Sequence, residues 1–449
     1  MVSKKPFKAP EVGDKIEVII GGKSETGRLL ESHETGILLV KLDNGYNIGF
    51  KKEDITEIKV VEEAILKKEK ITSDSPDSEN SKDAGKTEFK LSHQKPIIDF
   101  IITGGTISSK LDPKTGGVTS LIDAKDLFSI YPEIFELADV RLHIPFMKQS
   151  ENMNSLDWIR IAKIVSKSLN DSNVRGVIVS HGTDILHYTS AALSFMLGKI
   201  SKPVVLTYSQ KSSDRGSADS RMNLVCAAHV ALSDIAEVVL VGHATTNDDY
   251  CSVLRGTKTR KMHTSRRDTF RPVNTKPIAK IFPDGKIEII TDYNKRGKAN
   301  EKSKVDAVYD NRIALIKFYP GQDPNILDYY RKKGYRGLII EMTGLGHVCT
   351  EGNLNWLPKF QELIKKGMYI FAVPQTIYGR IDPYVYAPQR KILETGVVYL
   401  EDILPETALV KLGWVLAHPQ WRGSIATKTK MLENVSGEFN PRLGDEFLN

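Results

Sequence analysis

The chain has 449 residues, 40% hydrophobic and 27% charged. That balance excludes wholesale disorder and fibrous repeats and leaves material for about three domains. The 63 Lys+Arg against 56 Asp+Glu give a formal +7, a mild basic excess that permits an RNA partner without requiring one. Three widely spaced cysteines (Cys226, Cys251, Cys349), with no C-x-x-C pair, exclude a disulfide scaffold and a zinc site of that type and fit a reducing cytosol. Met1–Pro6 leads into no apolar segment and no run approaches the ~18 residues of a membrane span, so the expected location is the cytoplasm.

Short alternating runs open the chain, Lys15–Ile20 and Gly36–Lys41, with turn residues at Gly21-Gly22 and Asp43-Asn44-Gly45. They predict a small antiparallel barrel-like module over residues 1–62. Its basic and acidic residues balance over 1–60, which makes it a poor electrostatic clamp and a better docking module or spacer. Residues 67–88 hold only Ile71 and Ala84 as apolar residues. Such a stretch cannot bury enough surface to offset its ordering entropy, so 63–93 reads as a flexible charged linker.

From residue 94 the pattern changes to buried strand followed by helix. Strands are predicted at 96–102, 176–180, 203–207 and 237–242, with helices over 185–197 and about 220–234. This alternation predicts an α/β domain over 94–292 built on a mostly parallel sheet. A polar, basic connection spans 293–310. The alternation resumes with strands at 313–318, 337–342 and 369–373 and helices near 325–333, 353–366 and 405–417, a second, smaller α/β domain over 311–449.

Open α/β sheets bind ligands at the carboxyl ends of their strands, and two polar clusters fall there. Thr103-Gly104-Gly105-Thr106-Ile107 follows the first strand; paired glycines let backbone approach a ligand closely. Ser180-His181-Gly182-Thr183-Asp184 follows the second, where Asp184 could equally be a helix N-cap. A threonine hydroxyl needs a base to become a useful nucleophile, and Lys261, in Arg260-Lys261-Met262-His263-Thr264, is the candidate. From position alone it could as well be a solvated lysine in a basic run. His181 and His347, in glycine-flanked turns, read as structural, and Cys226, beside Ala227 and Ala228, reads as core.

Taken together, these motifs resemble the L-asparaginase/glutaminase amidohydrolase family over about residues 95–435. TGGTI at 103–107 is similar to its first threonine motif, HGTD at 181–184 to its second, and Lys261 to its catalytic lysine. Ser150-Glu151-Asn152-Met153 resembles its substrate-carboxylate loop, and Leu404–Leu409 with Lys411–Trp414 its C-terminal helix. The resemblance implies a two-domain asparaginase-like core with parallel sheets and flanking helices, preceded here by the small all-β module. Ser212–Arg215, Thr246–Cys251, Arg260–Asp268 and Gln375–Arg380, with that module, resemble a narrower group, the D subunits of archaeal glutamyl-tRNA(Gln) amidotransferases.

That resemblance implies a glutaminase half-reaction: Thr106 attacks the glutamine carboxamide while Thr183, Asp184 and Lys261 relay protons. The residues alone leave open which threonine attacks. Ser150 and Glu151 would hold the substrate's polar ends, and backbone N–H groups at Gly105 and Gly182 are candidate oxyanion donors. No G-x-x-x-x-G-K-[ST] phosphate loop occurs, so no cofactor is expected in this chain; ATP and Mg²⁺ would belong to a partner, the E subunit of such an amidotransferase. Glu-tRNA(Gln) would be held mainly by that partner, and dimerisation of this chain would give an α2β2 heterotetramer. Family dimers build sites across subunits, so Gly344–His347 could line a neighbour's site. A free-standing asparaginase or glutaminase is the alternative reading; the β module, the Gln375–Arg380 motif and residues 108–120, which lack the lid tyrosine of free-standing asparaginases and carry Lys110 and Lys114, argue against it. Residues 255–303 hold 14 Lys+Arg against 5 Asp+Glu, so the basic excess is expected as a patch there, with Arg266 and Arg267 by default a solvated face and otherwise its candidate RNA or subunit contacts.

Overall fold

The computed structural model describes residues 10–30, 32, 35–43, 47–62, 95–111, 118–120, 131–211, 217–298 and 302–444. The expected linker over 63–93, Lys114 and the Ser212–Arg215 motif lie outside them. The N-terminal module is one antiparallel sheet of order β4-β3-β2-β1-β5, from β1 (Lys15–Ile20), β2 (Lys23–Leu30), β3 (Ile37–Leu42), β4 (Asn47–Lys51) and β5 (Ile55–Glu62). Gly21 and Gly22, both at positive φ, make the two-residue turn between β1 and β2, which right-handed strand twist favours. Alternation sends Ile16, Val18, Leu29, Leu38 and Val40 into its small core.

The larger domain is built on an eight-stranded sheet. Its strands are β6 (Ile97–Ile102), β9 (Asp139–His143), β10 (Val174–Ser180), β11 (Val204–Thr207), β12 (Val238–His243), β13 (Cys251–Arg255), β16 (Ala279–Ile281) and β17 (Ile287–Ile289). Between them lie two hairpins, β7 (Ser109–Leu111) with β8 (Val118–Ser120), and β14 (Thr259–Lys261) with β15 (Phe270–Pro272). Strands β9, β6, β10, β11 and β12 run parallel, whereas β13, β16 and β17 extend the sheet antiparallel. Helices α1 (Pro132–Leu137), α2 (Ser155–Leu169), α3 (Leu186–Leu197) and α4 (Ser220–Leu232) supply the crossovers. The second domain carries a parallel sheet of β18 (Ile313–Lys317), β19 (Gly337–Met342), β20 (Tyr369–Pro374) and β21 (Val398–Tyr399). Its helices are α5 (Ile326–Lys332), α6 (Leu357–Lys365), α7 (Ala387–Glu394), α8 (Pro405–Leu416) and α9 (Ser424–Leu432).

The sequence of α3 is apolar on nearly every side because the helix is enclosed, with the sheet on one flank and α8 on the other. Every residue of it except Tyr188 is buried, as expected of a core helix rather than an amphipathic one. Phe195 of α3 stacks on Trp414 of α8 with ring centroids 5.8 Å apart. One apolar cluster runs from Ile101 and Val179 in the first domain to Ile339, Phe371 and Leu412 in the second, so the two domains share a core.

Ion pairs reinforce that seam. Lys258, 1% exposed, donates from Nζ to Asp402 Oδ2 at 2.6 Å and to the Asp402 carbonyl at 3.0 Å. Arg260 pairs across the seam with Glu406, while Lys411 and Glu438, both fully buried, meet at 2.6 Å within the second domain. The N-terminal module abuts α1 and α4. Arg28 pairs with Glu136 at 2.9 Å, Arg221 donates to the Asp43 carbonyl at 2.8 Å, and the buried Lys41 lies 5.1 Å from the Tyr131 ring centroid. Among the described residues, no helix is long and apolar enough to cross a membrane.

Candidate active site

Strands β6 and β10 pair in parallel with Ile102 opposite Ser180, so the two threonine loops leave the sheet side by side. Thr103 locks the exit: its N–H and its Oγ1 both donate to the Ser180 carbonyl, at 3.3 and 2.7 Å. Gly105 sits at φ +84°, and a Cβ there would stand 2.6 Å from the Gly182 nitrogen and 2.8 Å from the Gly182 Cα. A Cβ on Gly182 would in turn stand 2.8 Å from Ser150 Oγ. The two loops therefore meet backbone to backbone, with the Ser150 side chain packed on Gly182, an approach that only glycine permits. Ser150 Oγ accepts the Asp184 N–H at 3.2 Å.

The segment bearing Ser150 is fixed on both sides. Lys148 donates its backbone N–H to the Thr103 carbonyl at 3.0 Å and its ammonium to both Asp157 oxygens at 2.7 and 2.9 Å. Asp157 also closes a capping box with Asn154 at the start of α2, the usual device for satisfying a helix's first N–H groups. Ser150 is 2% exposed, while Glu151 beside it faces solvent.

Lys261 ends β14, and its Nζ donates to Thr183 Oγ1 and to Asp184 Oδ1, each at 2.8 Å. Residues 77 and 78 positions apart in the chain thus form one hydrogen-bonded triad. The lysine is 13% exposed and the aspartate 61%, so the triad opens to solvent from the carboxylate side. Asp184 does not serve as the N-cap; Ile185 occupies that position. Thr106 opens a single 3-10 turn, Thr106–Ser108, directly after Gly105. It makes no side-chain hydrogen bond to another described residue.

Three features lie below the triad, of which only the structural role of His181 was readable from the sequence. His181 is fully buried; its Nδ1 lies 2.6 Å from the Gly182 carbonyl and its Nε2 2.8 Å from Thr189 Oγ1. Trp158 Nε1 donates to the same Thr189 oxygen at 3.0 Å, so the threonine hydroxyl donates to Nε2 and Nδ1–H donates to the carbonyl. Burial pushes this imidazole down to about 4, and it is a structural group. His187 is pushed down to about 3 by burial and then by Arg260 and Lys261, and its buried Nδ1 lacks a partner among the described residues. Arg260 pairs with Glu406 at 3.0 Å, tying the residue beside Lys261 to the first turn of α8.

Much of the basic stretch is engaged in ion pairs. Arg255 pairs with Glu237, Lys258 with Asp402, Arg260 with Glu406, Lys261 with Asp184, Arg266 and Arg271 with Asp268, and Lys286 with Glu288. Arg267 is 11% exposed, pairs with Asp248 at 2.7 Å and donates to the Thr246 carbonyl. It is an internal strut, which corrects its reading as a surface contact. Arg266 is half-exposed but chelates Asp268 through two nitrogens at 2.8 and 2.9 Å. Among the described residues, no cluster of His, Cys, Asp and Glu could hold a metal ion.

Three family profiles match the chain: asparaginase, N-terminal, over residues 97–295; glutaminase/asparaginase C-terminal domain over 312–427; and the GatD N-terminal domain over 10–61. The D subunit of glutamyl-tRNA(Gln) amidotransferase from Pyrococcus furiosus is 44% identical over 445 residues, covering 97% of this chain and 96% of that relative. Its counterpart from Methanosarcina barkeri is 41% identical over 429 residues, covering 95% and 97%. Among solved structures, the thermostable L-asparaginase from Thermococcus kodakarensis matches with a TM-score of 0.69 at 26% identity. That match covers 77% of this chain and all of the asparaginase. L-asparaginase I from Vibrio cholerae gives 0.66 at 25% identity, covering 77% and 99%.

Proposed function

The chain belongs to the glutaminase/asparaginase family, in the branch formed by the D subunits of glutamyl-tRNA(Gln) amidotransferase, and we propose that it releases ammonia from glutamine for a second protein of the complex. The observation that carries this reading is the Lys261–Thr183–Asp184 triad standing against the Gly105–Gly182 contact at the ends of β6 and β10. It joins a proton-handling group to a glycine loop that presents a second threonine.

In the proposed reaction, Thr106 Oγ attacks the side-chain carbonyl carbon of glutamine and its proton passes into the Lys261–Thr183 relay. The tetrahedral oxyanion is held by backbone N–H groups at Gly105 and Gly182. Collapse breaks the C–N bond, the departing nitrogen takes the relayed proton, and ammonia leaves behind a glutamyl ester of Thr106. Water then attacks the ester, the same relay accepts its proton and returns one to Thr106, and glutamate is released. Thr106 is assigned as the nucleophile on the resemblance of TGGTI at 103–107 to the family's first threonine motif, with Thr183, held by Lys261, as the relay hydroxyl. Ser150 would take the substrate α-carboxylate, with Asp184 and Glu151 on the α-ammonium side.

Ammonia would pass to an E-type partner that uses ATP and Mg²⁺ to activate Glu-tRNA(Gln), in an α2β2 complex in the cytoplasm. No cofactor acts in this chain's own site under this reading. The match to the GatD N-terminal domain over 10–61 supports it over a free-standing asparaginase. The test is Gln-tRNA(Gln) formation by the purified chain with and without the partner, ATP and glutamine. Thr106→Ala and Lys261→Ala should each abolish glutamine-dependent product while free ammonia still supports it. Product formation from glutamine by Thr106→Ala would remove the threonine mechanism.

A further inference from the structure

Tyr131 is fully buried between the N-terminal module and the loop that carries Thr106. On one side its Oη donates to the Ile107 carbonyl at 3.1 Å. That carbonyl belongs to the central residue of the Thr106–Ser108 turn. On the other side the module covers its ring: Lys41 of β3 places Nζ 5.1 Å from the centroid, and both side chains are withdrawn from solvent.

The helix that starts directly after Tyr131 is held by the same module. Glu136 of α1 pairs with Arg28 of β2 at 2.9 Å. Glu133 pairs with Arg221 of α4 at 2.7 Å, and Arg221 also donates to the Asp43 carbonyl at the end of β3. Tyr131 is thus positioned by the module through its ring and by α1 through its backbone, and it passes that position to Ile107. The 77% coverage of this chain by an asparaginase that is itself matched over its full length, together with the separate module profile over 10–61, makes the module an addition to the amidohydrolase core.

We propose that the N-terminal module positions the reaction site: seated on α1, it sets Tyr131, and Tyr131 sets the turn that presents Thr106. Tyr131 is a positioning residue, and Lys41 acts through it. The inference rests on Thr106 as the nucleophile. Displacing a reacting group by about an ångström can cost on the order of 10²-fold, so loss of one buried hydrogen bond that fixes the turn should be read in kcat.

The test uses the full chain purified with its partner, assayed for glutamine hydrolysis. Tyr131→Phe keeps the ring and loses only the hydroxyl; its kcat should fall about tenfold with KM within about twofold. Lys41→Met should lower kcat in the same direction. The double variant should be no worse than Tyr131→Phe by more than about twofold, because the two act in series. Lys59→Ala, on the exposed β5 of the same sheet, should leave both constants unchanged. Hydrogen exchange of peptides spanning 103–111 should rise in Lys41→Met, a readout that does not depend on turnover. The inference is overturned if Tyr131→Phe keeps wild-type kcat while Thr106→Ala is inactive, if the two losses multiply independently, or if exchange at 103–111 is unmoved. An active Thr106→Ala instead removes the nucleophile assignment, and this inference with it.

Discussion

The Lys258–Asp402 pair joins the two α/β domains through a contact with almost no water access, 1% and 0% exposed. In such a site, removing one partner strands the other charge, at a typical cost of about 3–5 kcal/mol. In Lys258→Met the carboxylate keeps the Asn440 N–H on Oδ1 at 3.1 Å and Asn440 Nδ2 on Oδ2 at 2.8 Å. The expected loss is therefore at the lower end, ~3 kcal/mol. Asp402→Asn keeps the shape and an acceptor oxygen but removes the negative charge facing the buried ammonium, again ~3 kcal/mol. The double variant removes both charges at once and should cost about the same as either single, a coupling of ~2–3 kcal/mol. Urea unfolding of the four proteins, followed by far-ultraviolet circular dichroism, measures the cycle. Single losses below ~1 kcal/mol, or additivity within ~0.5 kcal/mol, would refute the reasoning.

Two further outcomes follow from the site. Gly105→Ala must place a Cβ 2.6 Å from the Gly182 nitrogen at a φ of +84°; glutamine hydrolysis should drop by at least ~10²-fold and the thermal midpoint should fall as well, and retention of half the activity with an unchanged midpoint would contradict the packing described. Acid should weaken the fold before its carboxylates titrate, because burial holds His181 down to about 4 and His187 to about 3 in the folded chain. The unfolded chain takes up these protons near pH ~6.5, so the associated stability is whole above that value and is lost as pH falls toward 4 and then 3. Between pH 7 and pH 5 each should cost up to roughly 2 kcal/mol. The urea midpoint should fall accordingly with an unchanged slope, and His187→Gln should remove about half the fall; a flat profile would refute it.

The parallel strands and core helices were legible because each is a run of apolar residues long enough to show a period. Ile97–Ile102 and Val174–Ser180 fall within a residue or two of the strands read from hydropathy. The antiparallel edge was not: β16 and β17 are three residues each, too short to display alternation. Thr183 and Lys261 could be singled out by residue type, yet their hydrogen bond depends on the β14–β15 hairpin carrying the lysine back over the sheet. The pairing within the basic stretch was hidden for a related reason. Its charge count is local, but the acids that pair with several of its residues, Glu237, Asp402, Glu406 and Asp248, arrive from remote parts of the chain. Tyr131 carries no motif at all, and its place is set by two surfaces that meet only in the folded molecule.

The apolar cluster shared by both α/β domains, with Phe195 stacked on Trp414 at its centre, has a kinematic meaning. Hinge closure requires an interface that can part or slide, and a close-packed core does neither without losing contacts throughout. Opening and shutting of the triad is thereby confined to the segments above the sheet and to whatever chain docks there. The two domains travel as one body, and substrate exchange is a matter of loops.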